Sequence, residues 1–431
     1  MRASPKPGGN SDAPPAPTAK RGALIACNYE PATAATGRKR WRWDYWPLPE
    51  PGSRRWQPWY CGSRTDMELP TGCEPRCPGC AHRTLTATAS EAQKTHWLRQ
   101  ALAPWADRLL PLRTVDPSAR WNYRRKVCLS ALWDESAGWR FGLWRRDELI
   151  PIPDCPVHAE SVRAMVHWLM QVLPPQPDFP LAFFVQSGAQ ATLIVKTHRV
   201  PALDGLDETR LAELAANGLD GLWLHRHPAA GRRLFARNGW TLLWGQPRSR
   251  DALGLEYGPM AFQQQIPALY RQALDAAEAF LDPASGHQIA DLYCGIGASL
   301  QRWTRRGARV IGVELGGEAV ACAGQNAPDA TTLRGKCADR LPQLREWTTS
   351  TASRLLYLNP PRTGLEPAVR DWAAREFRPE RLAYLSCSAG TLSRDLAVLT
   401  TAGYLVEALI PYDFFPQTHH VETLALLRRS D

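Results

Sequence analysis

From Pro267 onward the chain alternates helical segments with short apolar runs. PALYRQALDAAEAFL has the spacing of an amphipathic helix, while IADLYCG, RVIGVEL, RLLYLNPP, RLAYLSC, YLVEALIPY and ETLALLRR read as strands. Alternation of this kind buries each strand between helices on both faces, which restricts residues 251–431 to a doubly wound α/β sheet. In such sheets ligands bind beyond the carboxyl ends of the strands, so the strand exits are the candidate site.

The first exit reads Asp291-Leu-Tyr-Cys-Gly-Ile-Gly297, where Gly295 and Gly297 permit a tight turn and close backbone approach to a cofactor. The second strand ends in Glu314, 23 residues after Asp291, where an acid can take the two hydroxyls of an adenosine ribose. Ala298, Ser299 and Leu300 follow, with no third phosphate-binding glycine. S-adenosylmethionine carries no phosphate and suits this turn better than a dinucleotide does. The fourth exit presents Asn359-Pro-Pro-Arg362, in which two prolines hold a rigid extended loop. It resembles the Asp/Asn-Pro-Pro motif with which nucleic-acid methyltransferases grip a base.

The fifth exit is Cys387, in RLAYLSCSAGTLSRDL. Thr391 reads as the N-cap of the helix that follows, so the thiol faces a positive helix end, which favours the nucleophilic thiolate. Packing is the competing reading for any such cysteine. Glu422 stands at the entrance of the last strand.

Ahead of this region, RRKVCLSALW, GWRFGLW, LAFFVQSG and ATLIVKTH, with one helical segment near 158–173, describe a smaller, mostly β middle domain. CEPRCPGC places Cys73, Cys77 and Cys80 within eight residues, with Cys155 further on, a density that reads as metal ligation. Zinc and an iron–sulfur cluster both accept four thiolates, so spacing leaves the two open. Cys27, Cys128, Cys294, Cys322 and Cys337 stand alone and read as packing.

A net charge of +10 favours a polyanionic partner. The excess is concentrated in residues 1–62, where arginines interleave with Trp41, Trp43, Trp46, Trp56 and Trp59. That combination suits phosphates and unstacked bases, and equally a small Trp-rich core with solvated arginines at its edge. Residues 1–24, rich in Pro, Ala, Gly and Ser, read as a disordered tail, and 25–70 as a basic Trp-rich segment. No apolar run reaches the roughly 18 residues of a membrane span. A cytoplasmic monomer with no membrane partner and reduced cysteines is expected.

Taken together, DLYCGIG, NPPRTG, SCSAGTLSRDL and HVETLALL, in this order, resemble the RNA uracil-C5 methyltransferases over residues 71–431. The resemblance implies a Rossmann-like class I methyltransferase domain with a mixed seven-stranded sheet at 251–431, after a cysteine-cluster and RNA-binding domain at 71–250. It implies Cys387 as nucleophile and Glu422 as general base. Gln263, Tyr293, Gly295, Gly297, Glu314, Asp339 and Asn359 become cofactor contacts, and Arg124, Lys126 and Arg362 RNA contacts. It also selects a [4Fe-4S] cluster on Cys73, Cys77, Cys80 and Cys155, as in members acting on ribosomal RNA. Three residues separate Cys73 from Cys77 where five are usual, so Cys61 is a rival ligand.

Asn359 stands where most members have Asp, Ser388-Ala389 replaces Asn-Pro, and Gln265 replaces a common Asn. Asn359 still donates and accepts hydrogen bonds but carries no charge. The expected activity is methylation of a 23S ribosomal RNA uridine at C5. Rival readings are a transfer-RNA enzyme, an amino-group methyltransferase, which wants an aromatic residue where Arg362 stands, and a non-catalytic RNA-binding or assembly factor.

Overall fold

The computed structural model describes residues 68–430, with residues 177, 204, 350 and 351 excepted. The tail, Cys27, Cys61 and the Trp-rich stretch up to residue 67 lie outside the described residues.

Helix α1 (Ala87–Ala101) is the first helix among the described residues. The middle sheet follows with β1 (Lys126–Asp134), β2 (Gly138–Arg145), β3 (Glu148–Pro151), helix α2 (Glu160–Val172), β4 (Leu181–Ser187), β5 (Gln190–Val195), helix α3 (Glu208–Ala216), β6 (Gly221–Arg226) and β7 (Trp240–Gly245). Its order is β3-β2-β1-β4-β5-β6-β7. Every neighbouring pair is antiparallel except β5 and β6. A parallel pair needs a crossover, and α3 supplies it. One helical segment is expected here from the sequence; the structure has two. Asp207 caps α3 by accepting from the backbone N–H of Arg210. One face of the sheet packs Leu129, Phe141, Phe184 and Leu193 against Val162, Met165, Val166 and Leu169 of α2.

After two short strands, β8 (Ser249–Arg250) and β9 (Glu256–Tyr257), helix α4 (Pro267–Leu281) begins with proline in its first turn, where a missing N–H costs nothing. The second sheet contains β10 (His287–Leu292), β11 (Arg309–Glu314), β12 (Thr331–Arg334), β13 (Ser353–Leu358), β14 (Arg381–Ser386), β15 (Tyr404–Tyr412) and β16 (Glu422–Arg429). Its order is β12-β11-β10-β13-β14-β16-β15. The first five run parallel, and β16 inserts antiparallel between β14 and β15. This is the Rossmann-like mixed seven-stranded sheet expected from the sequence.

Helices α5 (Ala298–Arg305), α6 (Gly317–Asn326), α7 (Leu341–Trp347), α8 (Pro367–Asp371) and α9 (Ala389–Thr401) complete the set. α4, α5 and α6 cover one face, while α1, α7, α8 and α9 cover the other. α1 therefore packs on the C-terminal sheet despite its N-terminal position. The chain after it bridges to the edge strand β15 at Leu109–Leu409 and Arg113–Tyr412, shielding that edge.

Candidate active site at the strand exits

At the exit of β10, Tyr293, Gly295 and Gly297 all have positive φ, of 64°, 57° and 85°. A side chain added at Gly297 would meet Ala323 Cα at 3.1 Å, so only glycine lets α5 and α6 come this close. At Gly295 the same direction is open. Glu314 closes the turn, accepting from the backbone N–H of Gly316 at 2.7 Å and of Gly295 at 3.2 Å. These bonds leave lone-pair capacity on the carboxylate for ribose hydroxyls. Burial raises its pKa, and backbone donors at Gly316, Gly295 and Leu315 oppose that. The donor side of Gln263, Nε2, is buried with no partner among the described residues. The Asn359 N–H donates to the Leu292 carbonyl at 3.2 Å, tying the Asn-Pro-Pro loop to the β10 exit. Asp339 lies in the turn between β12 and α7. Open room at Gly295, an orphaned donor and an anchored acid fit an adenosyl cofactor.

Cys387 follows β14, and Glu422 is the first residue of the antiparallel β16. Ser386 pairs with Thr423, so one further step along the two strands brings Cys387 and Glu422 face to face. Glu422 is 3% exposed. Burial pushes its pKa up to about 7, against a hydrogen bond from Gln264 and the positive charge of Arg362. Gln264 Nε2 donates to Glu422 Oε2 at 2.9 Å.

Two local expectations are corrected. The N-cap of α9 is Ser388, not Thr391; the Ser388 side chain accepts from the Thr391 N–H, and the helix starts at Ala389. The helix end also fails to lower the Cys387 pKa. Burial pushes that thiol up to about 12, with the Glu422 charge adding to it and Arg362 opposing it. Desolvation of a buried thiol outweighs the helix-end effect, which falls off within one turn.

Arg362 therefore faces both Cys387 and Glu422. Lys126 Nζ donates to the Ala261 carbonyl at 2.8 Å and sits over the ring of Phe262, which is half exposed. The Arg124 guanidinium lies 5.9 Å from the Phe415 ring centroid. Gln264 escaped the sequence reading; its neighbour Gln263 carried the motif, and no local pattern marks a residue whose partner lies 158 positions away.

Cys73, Cys77, Cys80 and Cys155 come together, lining one cavity with Arg83 and Trp121. All four are free thiols. Burial raises the pKa of each, that of Cys80 to about 12, and Cys155 raises the other three further. Arg83 donates to the carbonyls of Pro75 and Cys77, both at 2.6 Å, which shapes the loop. Backbone N–H groups of Gly79, Val157 and His158 point at Cys77 and Cys155 sulfurs. Such a donor set suits a group that brings positive charge and sulfur acceptors. As arranged, no three His, Cys, Asp or Glu side chains among the described residues converge on a single ion. Cys294, Cys322 and Cys337 are buried in the two cores, as packing requires.

A family model described as tRNA (Uracil-5-)-methyltransferase matches residues 340–430. A protein of Shewanella frigidimarina named 23S rRNA (uracil(1939)-C(5))-methyltransferase RlmD is 28% identical, with 82% of each chain covered. One of the same name from Aromatoleum aromaticum is 29% identical, over 82% of this chain and 84% of the relative. Among solved structures, the Pyrococcus abyssi tRNA (uracil-54, C5)-methyltransferase in complex with S-adenosyl-L-homocysteine superposes with a TM-score of 0.60 at 20% identity, covering 82% of this chain and 86% of that one, a likeness of fold. No helix among the described residues is long and apolar enough to cross a membrane. The matched segment holds Cys387 and Glu422, and over 82% of its length the chain is similar to S-adenosylmethionine-dependent RNA uracil-C5 methyltransferases.

Proposed function

We propose that the protein methylates C5 of a uridine in 23S ribosomal RNA in the cytoplasm, with Cys387 as nucleophile and Glu422 as base. The observation that carries this reading is the opposition of Cys387 and Glu422 across β14 and β16, with Arg362 facing both.

Uracil C5 is a poor nucleophile. Cys387 sulfur adds to C6 and pushes electrons to C5, and Arg362 favours the thiolate that burial opposes. S-adenosylmethionine supplies the methyl group in electrophilic form when bound. Gln263, Tyr293, Gly295, Gly297, Glu314, Asp339 and Asn359 would hold it beside the uracil. Glu422 then removes the C5 proton, the C5–C6 double bond reforms, and the C6–sulfur bond breaks to release Cys387. A base poised near neutrality suits that task. The target nucleotide must leave its stack to reach a strand exit, and Arg124, Lys126 and Arg362 would meet its phosphates. Cys73, Cys77, Cys80 and Cys155, which line one cavity, would hold a [4Fe-4S] cluster, with zinc as the alternative for four thiolates. The same reading divides the chain into 1–24 as a tail, 25–70 as a basic segment, 71–250 as the cysteine-cluster and RNA-binding part, and 251–431 as the catalytic part.

Transfer RNA is the second substrate to test, since the matching family description names it. Mass mapping of 5-methyluridine in ribosomal and transfer RNA, with and without the gene, is the experiment. Loss of one site in 23S RNA is expected. Loss confined to transfer RNA would replace the substrate, and no loss in either would overturn the activity.

A further inference from the structure

Three successive glutamines between β9 and α4 do three different jobs. Gln265 Oε1 accepts the backbone N–H groups of Arg125 and Lys126, both at 3.0 Å, which ties this segment to β1. Ser187 Oγ and Lys126 Nζ both donate to the Ala261 carbonyl, fixing the other end. Gln263 keeps a buried Nε2 without a partner. Gln264, between them, is 9% exposed and turns the opposite way, giving its Nε2 to Glu422 while its own Oε1 is buried without a partner. The segment is pinned at both ends, so Gln264 cannot withdraw when the charge on Glu422 changes.

We propose that Gln264 is a positioning residue for the base, able to hold Glu422 in both of its protonation states. This rests on the reading of Glu422 as base and deepens it. A side-chain amide offers a donor and an acceptor related by a half-turn about one bond. With Glu422 ionised, the amide N–H donates to Oε2, as the structure has it. When the C5 proton passes to Glu422, the C5–H electron pair becomes the C5–C6 double bond and the C6–sulfur pair returns to Cys387. The new carboxylic acid O–H then needs an acceptor. Gln264 Oε1, buried and unpartnered, provides it after the half-turn, and the proton leaves later to solvent. An apolar residue at 264 would serve neither state.

The other groups around Glu422 do not substitute for it. Arg362 approaches from the loop after β13 and lowers the Glu422 pKa through its charge. Cys387 approaches from the end of β14, with its own pKa raised by Glu422. Tyr270 of α4 and Tyr357 of β13 lie within electrostatic reach, and burial keeps both phenols neutral. Tyr412, paired with Glu422 across β15, gives its hydroxyl to the Gln272 carbonyl. Among the described residues, Gln264 is the side chain that donates a hydrogen bond to the carboxylate.

The test compares pH–rate profiles of the full-length protein, wild type against Gln264→Leu and Gln264→Glu, with natural RNA substrate and with the covalent protein–RNA adduct quantified at each pH. Gln264→Leu should move the acidic limb upward by about one pH unit, a tenfold change in ionisation constant, and raise the adduct fraction at neutral pH. Gln264→Glu, isosteric and like-charged, should move it further. If Gln264→Leu does not fold, Gln264→Glu carries the test. An unchanged limb and adduct fraction in every variant that folds overturns the proposal. Glu422→Gln is the control: if it blocks turnover while the Gln264 variants keep the wild-type limb, only the positioning role fails. If Glu422→Gln turns over normally, the base reading fails and this proposal with it.

Discussion

Lys94 Nζ donates to Asp413 Oδ1 at 2.6 Å, and both side chains are fully buried. The pair joins α1 to the loop between β15 and β16. Lys94 also donates to the carbonyls of Phe415 and Pro416, and Arg120 donates to Pro416 at 2.9 Å. The His82 N–H, just past the cysteine loop, donates to the Gln417 carbonyl at 3.0 Å. The segment leading into Glu422 is therefore held from the N-terminal side of the chain.

Removing Lys94 takes the hydrogen-bonded cation from a buried carboxylate and leaves it Arg120 Nη1, 3.8 Å from Asp413 Oδ2, as its remaining charged neighbour. Lys94→Met should destabilise by about 3–5 kcal/mol in chemical denaturation, and Lys94→Met with Asp413→Leu should recover part of that loss. A single-variant loss below about 1 kcal/mol would show that water reaches Asp413.

Cys387→Ala should form no covalent complex with RNA carrying 5-fluorouridine, and no 5-methyluridine, because no C6 adduct can form. Glu422→Gln should form the adduct with natural RNA and accumulate it. Denaturing gels separate free protein from adduct. Turnover by Cys387→Ala at the wild-type rate contradicts the mechanism.

A carboxyl whose folded-state pKa is raised to about 7 costs stability once pH exceeds its ordinary value near 4.5, and the cost levels off above 7. Glu422→Gln should then melt higher than wild type at pH 8, by roughly 1–3 kcal/mol of stability, and level with it at pH 4. Melting curves at both pH values decide it; equal curves at pH 8 would place the carboxyl in water.

Purified without oxygen, the protein should be brown with about four irons per chain, and Cys77→Ser or Cys80→Ser should bleach it and loosen the loop at 73–83. Metal analysis and the visible spectrum report this directly. One zinc per chain in a colourless, active sample is the opposing result.

Gly297→Ala adds a methyl where φ is 85° and Ala323 Cα would lie 3.1 Å away. A loss of roughly 1–2 kcal/mol and a weaker affinity for S-adenosylhomocysteine are expected. Gly295→Ala, with open space in the same direction, should cost less. Calorimetric titration that finds both variants at wild-type affinity would remove the turn from the cofactor site.

Much of this was written locally. The apolar runs at 287–292, 309–314, 353–358, 381–386, 404–412 and 422–429 became strands, since a strand buried on both faces reads as a continuous apolar run. The segment at 267–281 became α4, and each strand exit carries the residue type its chemistry wants. β12, half buried with Thr331 and Arg334 at its ends, lacks that signature and was not legible. Nor was α1, whose inward face consists of Ser90, Lys94 and Leu98. Its polar residues belong inside because partners far along the chain wait there, Asp413 for Lys94 and the Pro416 carbonyl for Ser90.

Periodicity and short spacing are local properties, and they carry the α/β class, the strand exits and the gathering of thiols at 73–80. The opposition of Cys387 and Glu422, the amide of Gln264 on that carboxylate, the union of Cys155 with the cysteine loop, and the upward pKa of Cys387 required the fold. Each depends on burial or on a partner far along the chain, and desolvation outweighs a helix end only once the surrounding strands have excluded water.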